Sequence, residues 1–375
     1  MERIYLDNAA TSFPKAPGVA DSMFRFLTEN GCNINRSSYE TAALAEDVVL
    51  DTRHLLCRLF HFPLPSHVVF TPGVTFSLNT ILRGLLRPGD HCIVSGFEHN
   101  SVMRPLASLG VSWSVAKINP DGHFDKPEAL FRPNTQLVVM THASNVFGNI
   151  LPVSEIAPLC REKGIPLVLD CAQTAGHIPL DWKELEADAL CFSGHKGLLG
   201  PQGTGGMLLS PTLAKHLPPL TEGGTGSVSD RLETPDFMPD KFEAGTPNIP
   251  GLWGLHAAAE FLLQTGVDSI AAYESSLTQE LIEGLAEIPG ISVLKAPGMG
   301  QVGVVSVVFH RLDMAQAAWQ LEQEFGIQTR CGIHCAPLAH QTMGTAPAGT
   351  VRFSVGYATT RKEINAALLA VKAIA

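Results

Sequence analysis

The chain predicts an α/β protein with a large domain over residues 16–250, built on a mostly parallel central sheet. A smaller α/β domain is expected from residues 251–375 together with the N-terminal segment 1–15. Three observations point there. Through the middle of the chain, short apolar runs alternate with amphipathic stretches, the pattern of βαβ units. Beyond about residue 250 this gives way to two consecutive helical stretches and then a strand, helix, strand, helix series. At 375 residues and 45% hydrophobic, the chain has enough apolar surface for a core of that size.

TPGVTFSLNTILRGLLRPGD (71–90) sets a glycine turn before an apolar helix of about three turns. Buried strands are expected at HCIVSG (91–96), QLVVMTH (136–142), IPLVLD (165–170), ALCFS (189–193) and GGMLLS (205–210). Between the second and third, VSEIAPLCREKG reads as a helix closed by Gly164. The C-terminal part opens with helices over 251–266 and 267–288. A strand at 304–309, a helix from Asp313 to Phe325 closed by Gly326, and a strand at 350–355 follow. The last helix starts at a capping box of Thr360 and Glu363.

The formal charge is −10 and no dense Lys/Arg run occurs, so neither nucleic acid nor an anionic membrane is expected as partner. No apolar stretch reaches the length of a membrane span, and the N-terminus lacks a signal-like apolar region. The eight cysteines follow no repeating spacing, and Cys92, Cys171 and Cys191 sit in apolar runs. Reduced, buried thiols in a cytoplasmic protein are therefore expected, and the Asn35–Arg36–Ser37 triplet carries no glycosylation meaning there.

In an open parallel sheet, ligands bind beyond the carboxyl ends of the strands. Glu98–His99, Thr141–His142 with Asn145, Asp170 with Gln173, and Ser193–Gly194–His195–Lys196 all fall there. Taken singly, each reads equally well as a helix cap or a solvated loop residue. Four sets at one sheet edge point to a site. In CFSGHKGLLGPQGTGG, Lys196 lies between an apolar strand and a glycine-rich stretch, where desolvation lowers an amine's pKa and makes it a Schiff-base nucleophile. Pyridoxal phosphate needs such a lysine, a carboxylate opposite its ring nitrogen and a phosphate cradle. Asp170 can supply the carboxylate, and the Gly73–Val74–Thr75 turn at a helix start can supply N–H groups and a hydroxyl. Ser193 and His195 can add donors. A surface Lys196 and a capping Asp170 are the plain alternatives. No GxGxxG opening a helix, no GxxxxGK[ST] and no HExxH occurs, which leaves a nicotinamide or ATP reading unsupported.

Nine landmarks then match a known family in order: YLDNAAT (5–11), TPGVT (71–75), EHN (98–100), SNVFGNILPV (144–153), DCAQTAGH (170–177), SGHK (193–196), FEAGTPN (242–248), RCGIHCAP (330–337) and TVRFSVGY (350–357). Over essentially its whole length the chain resembles the class V aminotransferase branch of fold-type I (aspartate-aminotransferase-like) pyridoxal-phosphate enzymes, in particular the group II cysteine desulfurases and selenocysteine lyases. The resemblance implies that Lys196 binds the cofactor covalently and shuttles protons. Asp170 would hold the ring nitrogen, His99 would stack on the ring, and Gln173 would bond its phenolic oxygen. Gly73, Val74, Thr75, Ser193 and His195 would hold the phosphate, with Thr246 reaching the phosphate of a neighbouring subunit in a homodimer. Arg352 would clamp the substrate carboxylate with Asn145 and Asn8 assisting, and Cys335 would take the sulfur.

Three departures stand out. Position 331 is Cys where the family usually has Thr or Ser, no Pro-Gly precedes Arg36, and the turn reads Gly-Val-Thr where relatives often carry two hydroxyls. The RCGIHCAPLAH segment (330–340) reads as loop because of Gly332 and Pro337. Its Cys331, His334, Cys335 and His340 lack a usual zinc spacing, so no metal is expected. Arg330, His334 and the cofactor's charge are the candidates for activating the thiol. The leading expectation is a desulfurase making alanine from L-cysteine and a persulfide on Cys335, with a sulfur-acceptor protein as a further partner. Selenocysteine lyase, β-eliminating lyase and aminotransferase activity remain alternatives on the same scaffold.

Overall fold

The computed structural model describes residues 3–34, 39–228 and 230–375, so Arg36 and the Asn35–Ser37 triplet lie outside the described residues. Its strands, in chain order, begin with Ile4–Tyr5 (β1). Then come Val68–Thr71 (β2), His91–Ser95 (β3), Ser112–Ala116 (β4), Thr135–Thr141 (β5), Leu167–Asp170 (β6), Ala189–Ser193 (β7) and Gly205–Leu209 (β8). Ile291–Leu294 (β9), Val304–Phe309 (β10), Ile327–Gln328 (β11), Arg330–Gly332 (β12) and Thr350–Ser354 (β13) complete the set.

Strands β2 to β8 form one seven-stranded sheet in the order β2-β8-β7-β6-β5-β3-β4. Only β8 runs against its neighbours; the other pairings are parallel. The expected runs lie within two residues of the observed strands. Strands β2 and β4 have no counterpart in the sequence reading, since SWSVA at the sheet edge is short, serine-rich and leaves Trp113 exposed. The central strands carry apolar side chains on both faces, as sheets covered on both sides do. Helix Val153–Lys163 ends at Gly164 in the left-handed conformation (φ 64°), whose N–H returns to Arg161 and Cys160 carbonyls.

A second, antiparallel sheet has the order β12-β13-β10-β9. Helices Val267–Ala286, Met314–Phe325 and Arg361–Ile374 share its core, the last starting at the expected capping box. The N-terminal segment belongs to both bodies. β1 pairs with β11 and Asp7 bridges Ser354, while Thr11 and Ser12 bond the His195 carbonyl beyond β7.

Helix Ile249–Thr265, assigned by the 250/251 boundary to the smaller domain, packs on Val19–Arg25 and Glu40–Leu59 instead. Its Leu252, Leu255 and Leu262 are buried in the core beneath the large sheet. Exposing them would cost roughly 2 kcal/mol each. We therefore propose that the smaller domain begins at Val267. Among the described residues, no helix is long and apolar enough to cross a membrane.

Candidate active site

Because β3, β5, β6 and β7 run parallel, His99, Asn145, Asp170, Gln173, Ser193, His195 and Lys196 emerge at one edge of the sheet. The reversed strand β8 starts at that edge, and there its first residue meets the end of β2. A Cβ on Gly205 would stand 2.6 Å from the Gly73 Cα, so only glycine lets this turn close. Gly73 then starts helix Val74–Leu85, whose first N–H groups face outward as a ready anion site; the Ser193 hydroxyl lies 3.4 Å from the Val74 N–H.

Gly73, Val74, Thr75, Ser193 and His195 line one cavity of about 480 Å³. Asn79 and Arg83 join them, which sequence reasoning missed. The signal was present: Thr75, Asn79 and Arg83 are spaced four apart on one helix face, and Asn79 receives the Arg83 Nε–H at 3.0 Å. Burial, and then the cations Lys196 and Lys15, hold the His195 imidazole down at about 4, so it is neutral. Thr246 does not reach this cradle in its own chain. It is exposed on the Phe242–Asn248 loop and lines a separate cavity of about 510 Å³. That loop is anchored by Glu243, which takes Arg53 Nη2–H at 2.6 Å and the Phe70 N–H at 2.7 Å.

Lys196 is driven from 10.5 to about 8 by desolvation; Arg352 and Arg330 push the same way, Asp170 and Cys335 against. Asp170, buried, accepts the Ala172 N–H at 3.0 Å, yet burial still raises its pKa. A carboxyl so placed gains from a cationic partner, which a protonated ring nitrogen provides. His99 caps helix Asn100–Leu109, its Nδ1 accepting the Ser101 N–H at 3.1 Å, which places the ring proton on Nε2. Burial, with Lys196, Arg104 and Arg352, lowers it to about 4 and leaves a neutral ring suited to stacking. Gln173 is buried and gives one Nε2–H to the Ala9 carbonyl at 3.0 Å. Glu98 ties strands together: Thr141 N–H donates to it at 2.8 Å, and desolvation lifts it to about 8, so it is neutral at pH 7.

The 330–340 segment is not one loop. Residues 330–332 are β12 and Pro337–Thr342 is a helix, because β13 supplies a pairing edge and Pro337 a helix start. Only Ile333–Ala336 is a turn, closed by Ala336 N–H to the Ile333 carbonyl at 2.9 Å. His334 and Cys335, at φ 49° and 58°, are its central residues, and Cys335 is exposed. The turn is pinned by Asn100 N–H to the Cys335 carbonyl and by Asn145 Nδ2–H to the His334 carbonyl, both at 2.8 Å.

One candidate role changes. His334 is pushed down to about 2, first by burial and then by Arg352 and His340, so it is neutral and cannot supply the positive charge expected to activate the thiol. Asn8 is committed to backbone: Nδ2–H donates to the Ser354 carbonyl at 3.0 Å and Oδ1 accepts the Phe13 N–H at 3.2 Å. It ties the N-terminal loop to β13. Cys331 packs against the smaller domain's core, on the opposite face of β12 from Arg330, and burial raises its thiol. Arg352 is buried; its Nη1–H donates to the Asn145 carbonyl at 2.8 Å and its Nη2–H to Asp7 Oδ1 at 2.7 Å.

A buried low-pKa amine, a buried carboxyl and a helix-start anion cradle at one sheet edge fit pyridoxal phosphate. Asp170→Asn is nearly isosteric but loses the charge that a protonated ring nitrogen needs. It is expected to keep the protein coloured while lowering turnover at least tenfold, read from the visible spectrum and initial rates.

The aminotransferase class-V family model matches residues 4–367. A probable cysteine desulfurase of Mycolicibacterium paratuberculosis is 34% identical over 99% of this chain, which spans only 55% of that relative's length. One from Methanothermobacter thermautotrophicus is 33% identical, covering 97% of this chain and 92% of the relative. Among solved structures, the apo cysteine desulfurase of Thermococcus onnurineus superposes with a TM-score of 0.91 at 28% identity, covering 99% of this chain and 94% of that one. A cysteine desulfurase of Escherichia coli gives 0.87 at 27%, covering 98% and 94%. The fold is therefore the fold type I of pyridoxal-phosphate enzymes, and the chain belongs to the class-V aminotransferase family.

Proposed function

We propose that the protein is a pyridoxal-phosphate-dependent cysteine desulfurase, converting L-cysteine to L-alanine and leaving the sulfur as a persulfide on Cys335. The observation that carries this reading is the exposed Cys335 on a turn that Asn145 ties to Arg352, near enough to Lys196 for the two groups to interact electrostatically. Asn145 links the two sides: its side chain holds the His334 carbonyl and its own carbonyl holds Arg352.

When bound, pyridoxal phosphate supplies an electron sink for negative charge at the substrate's Cα. Gly73, Val74, Thr75, Ser193 and His195 would hold its phosphate, Asp170 its ring nitrogen, Gln173 its phenolic oxygen and His99 its face. Lys196 would hold it covalently and move the proton at Cα. Arg352 orients the substrate carboxylate through its planar fork. The Cys335 sulfur forms a bond to the substrate sulfur while the Cβ–S bond breaks. The electron pair of that bond stays with Cβ, which takes a proton. The net change is one alanine and one persulfide for one cysteine and one thiol.

Thr246, exposed on an anchored loop outside its own cradle, would complete the phosphate site of a second subunit in a homodimer. A sulfur-acceptor protein would then collect the persulfide, in the cytoplasm. The same residues accommodate L-selenocysteine, and assays on both substrates rank the two. Alanine release by the purified holoenzyme tests the reaction. Without reductant, about one alanine per active site is expected before turnover stalls; dithiothreitol should restore continuous alanine and sulfide release. Pyruvate with ammonia, or a keto acid in place of alanine, would overturn the desulfurase reading for a β-eliminating lyase or an aminotransferase.

A further inference from the structure

Arg352 is 2% exposed, and among the described residues its buried charge is answered by one carboxylate, Asp7. The fold goes to some length to put Asp7 there. Leu6 N–H donates to the Gln328 carbonyl at 2.9 Å and Ser354 N–H to the Leu6 carbonyl at 2.7 Å. Ala9 N–H donates to Ser354 Oγ at 2.9 Å, and Asn8 holds the Ser354 carbonyl. These bonds lock residues 6–9 alongside the end of β13, two residues past Arg352.

A second arginine stands beside the first. Arg330 is the register partner of Arg352 across β12 and β13, its side chain half exposed, with Nε 3.9 Å from the other Asp7 oxygen. Within this trio, two guanidinium charges and one carboxylate leave a net charge of +1. Asp7 takes one N–H of Arg352 and the Asn145 carbonyl takes another, so three of the five guanidinium donors stay available. One of these, Nε, is buried with no partner, a costly state that a ligand oxygen would relieve.

We propose that Asp7 is a positioning residue that presets the site for one carboxylate. Its monodentate bond fixes the plane of the Arg352 fork, and its charge cancels one of the two arginines. Without it, a buried guanidinium beside another cation would turn in its pocket and recruit anions from solution. The proposal rests on the reading of Arg352 as the substrate carboxylate clamp.

The test uses holoenzyme carrying Asp7→Ala, Asp7→Asn or, as control, Arg352→Lys. Asp7→Ala is expected to raise KM for L-cysteine and Kd for L-alanine by about tenfold or more, the worth of a charge-assisted hydrogen bond, with kcat within about threefold. Sulfate should become a competitive inhibitor at concentrations that leave the unaltered enzyme unaffected. Asp7→Asn keeps an acceptor oxygen without the charge, so it should recover most of the KM and Kd while sulfate inhibition persists. Should the alanine variant fail to fold, competitive sulfate inhibition of Asp7→Asn supports the proposal and its absence overturns it. Unchanged KM and Kd in Asp7→Ala, with Arg352→Lys raising both, would sink the role of Asp7 alone. Unchanged KM and Kd in Arg352→Lys would instead remove the clamp reading on which it stands.

Discussion

Replacing Cys335 by alanine is expected to abolish persulfide formation and to lower cysteine-dependent sulfide release by at least a hundredfold, while colour and cysteine binding persist. The reason is geometric. Cys335 is the exposed thiol of a turn whose two flanking carbonyls are held by Asn100 and Asn145, so its sulfur is delivered to one place. Alanine keeps the turn and removes only the nucleophile. The neighbouring thiol cannot substitute, because Cys331 points into the smaller domain's core on the other face of β12. Cys331→Ser should therefore stay within about threefold of the unaltered rate. His334, being neutral, contributes no positive charge beside this sulfur. Persulfide trapping by an alkylating probe followed by peptide mapping decides the matter. A persulfide on Cys331, or full activity in Cys335→Ala, would show that the other thiol does the work.

Lys196→Ala should remove covalent attachment of the cofactor and cut turnover by three orders of magnitude or more. Burial lowers this amine from 10.5 to about 8, which raises its unprotonated fraction at pH 7 by roughly 300-fold. Only that free amine attacks a carbonyl carbon. The direction also fixes a pH dependence: capture of pyridoxal phosphate by cofactor-free protein should speed up as pH rises toward 8 and level off above it, rather than climb to 10. Borohydride reduction of the holoenzyme should fix the label on Lys196. A label on another lysine, or capture still accelerating past pH 9, would count against this assignment.

The sequence by itself determined the central strands of the large sheet, the helices of the smaller domain and the chemistry available at the strand ends. Apolar runs such as LVLD and ALCFS can only be buried strands between amphipathic helices, and parallel strands bring their carboxyl ends to one edge. That is why Lys196, Asp170, His99 and the Gly73 turn were legible before any coordinates. Strand β8 illustrates the limit: GGMLL announces a buried strand, but its reversed direction and the close approach of Gly205 to Gly73 appear only in the folded sheet. Helix Ile249–Thr265 looks the same in sequence whichever body it joins, and its packing on two N-terminal helices is visible only in the fold.

Tertiary structure likewise decided the charges and the partners. His334 looked able to activate a thiol, but burial neutralises it. Asn8 bonds the backbone of Ser354, while Asp7, one residue earlier, lies against Arg352. The physical reason is common to these cases. Local sequence dictates backbone propensity and which groups a strand end can offer. A side chain's pKa and partner depend on desolvation and on atoms hundreds of residues away, such as Ser354 beside Asn8, which are set only when the chain closes on itself.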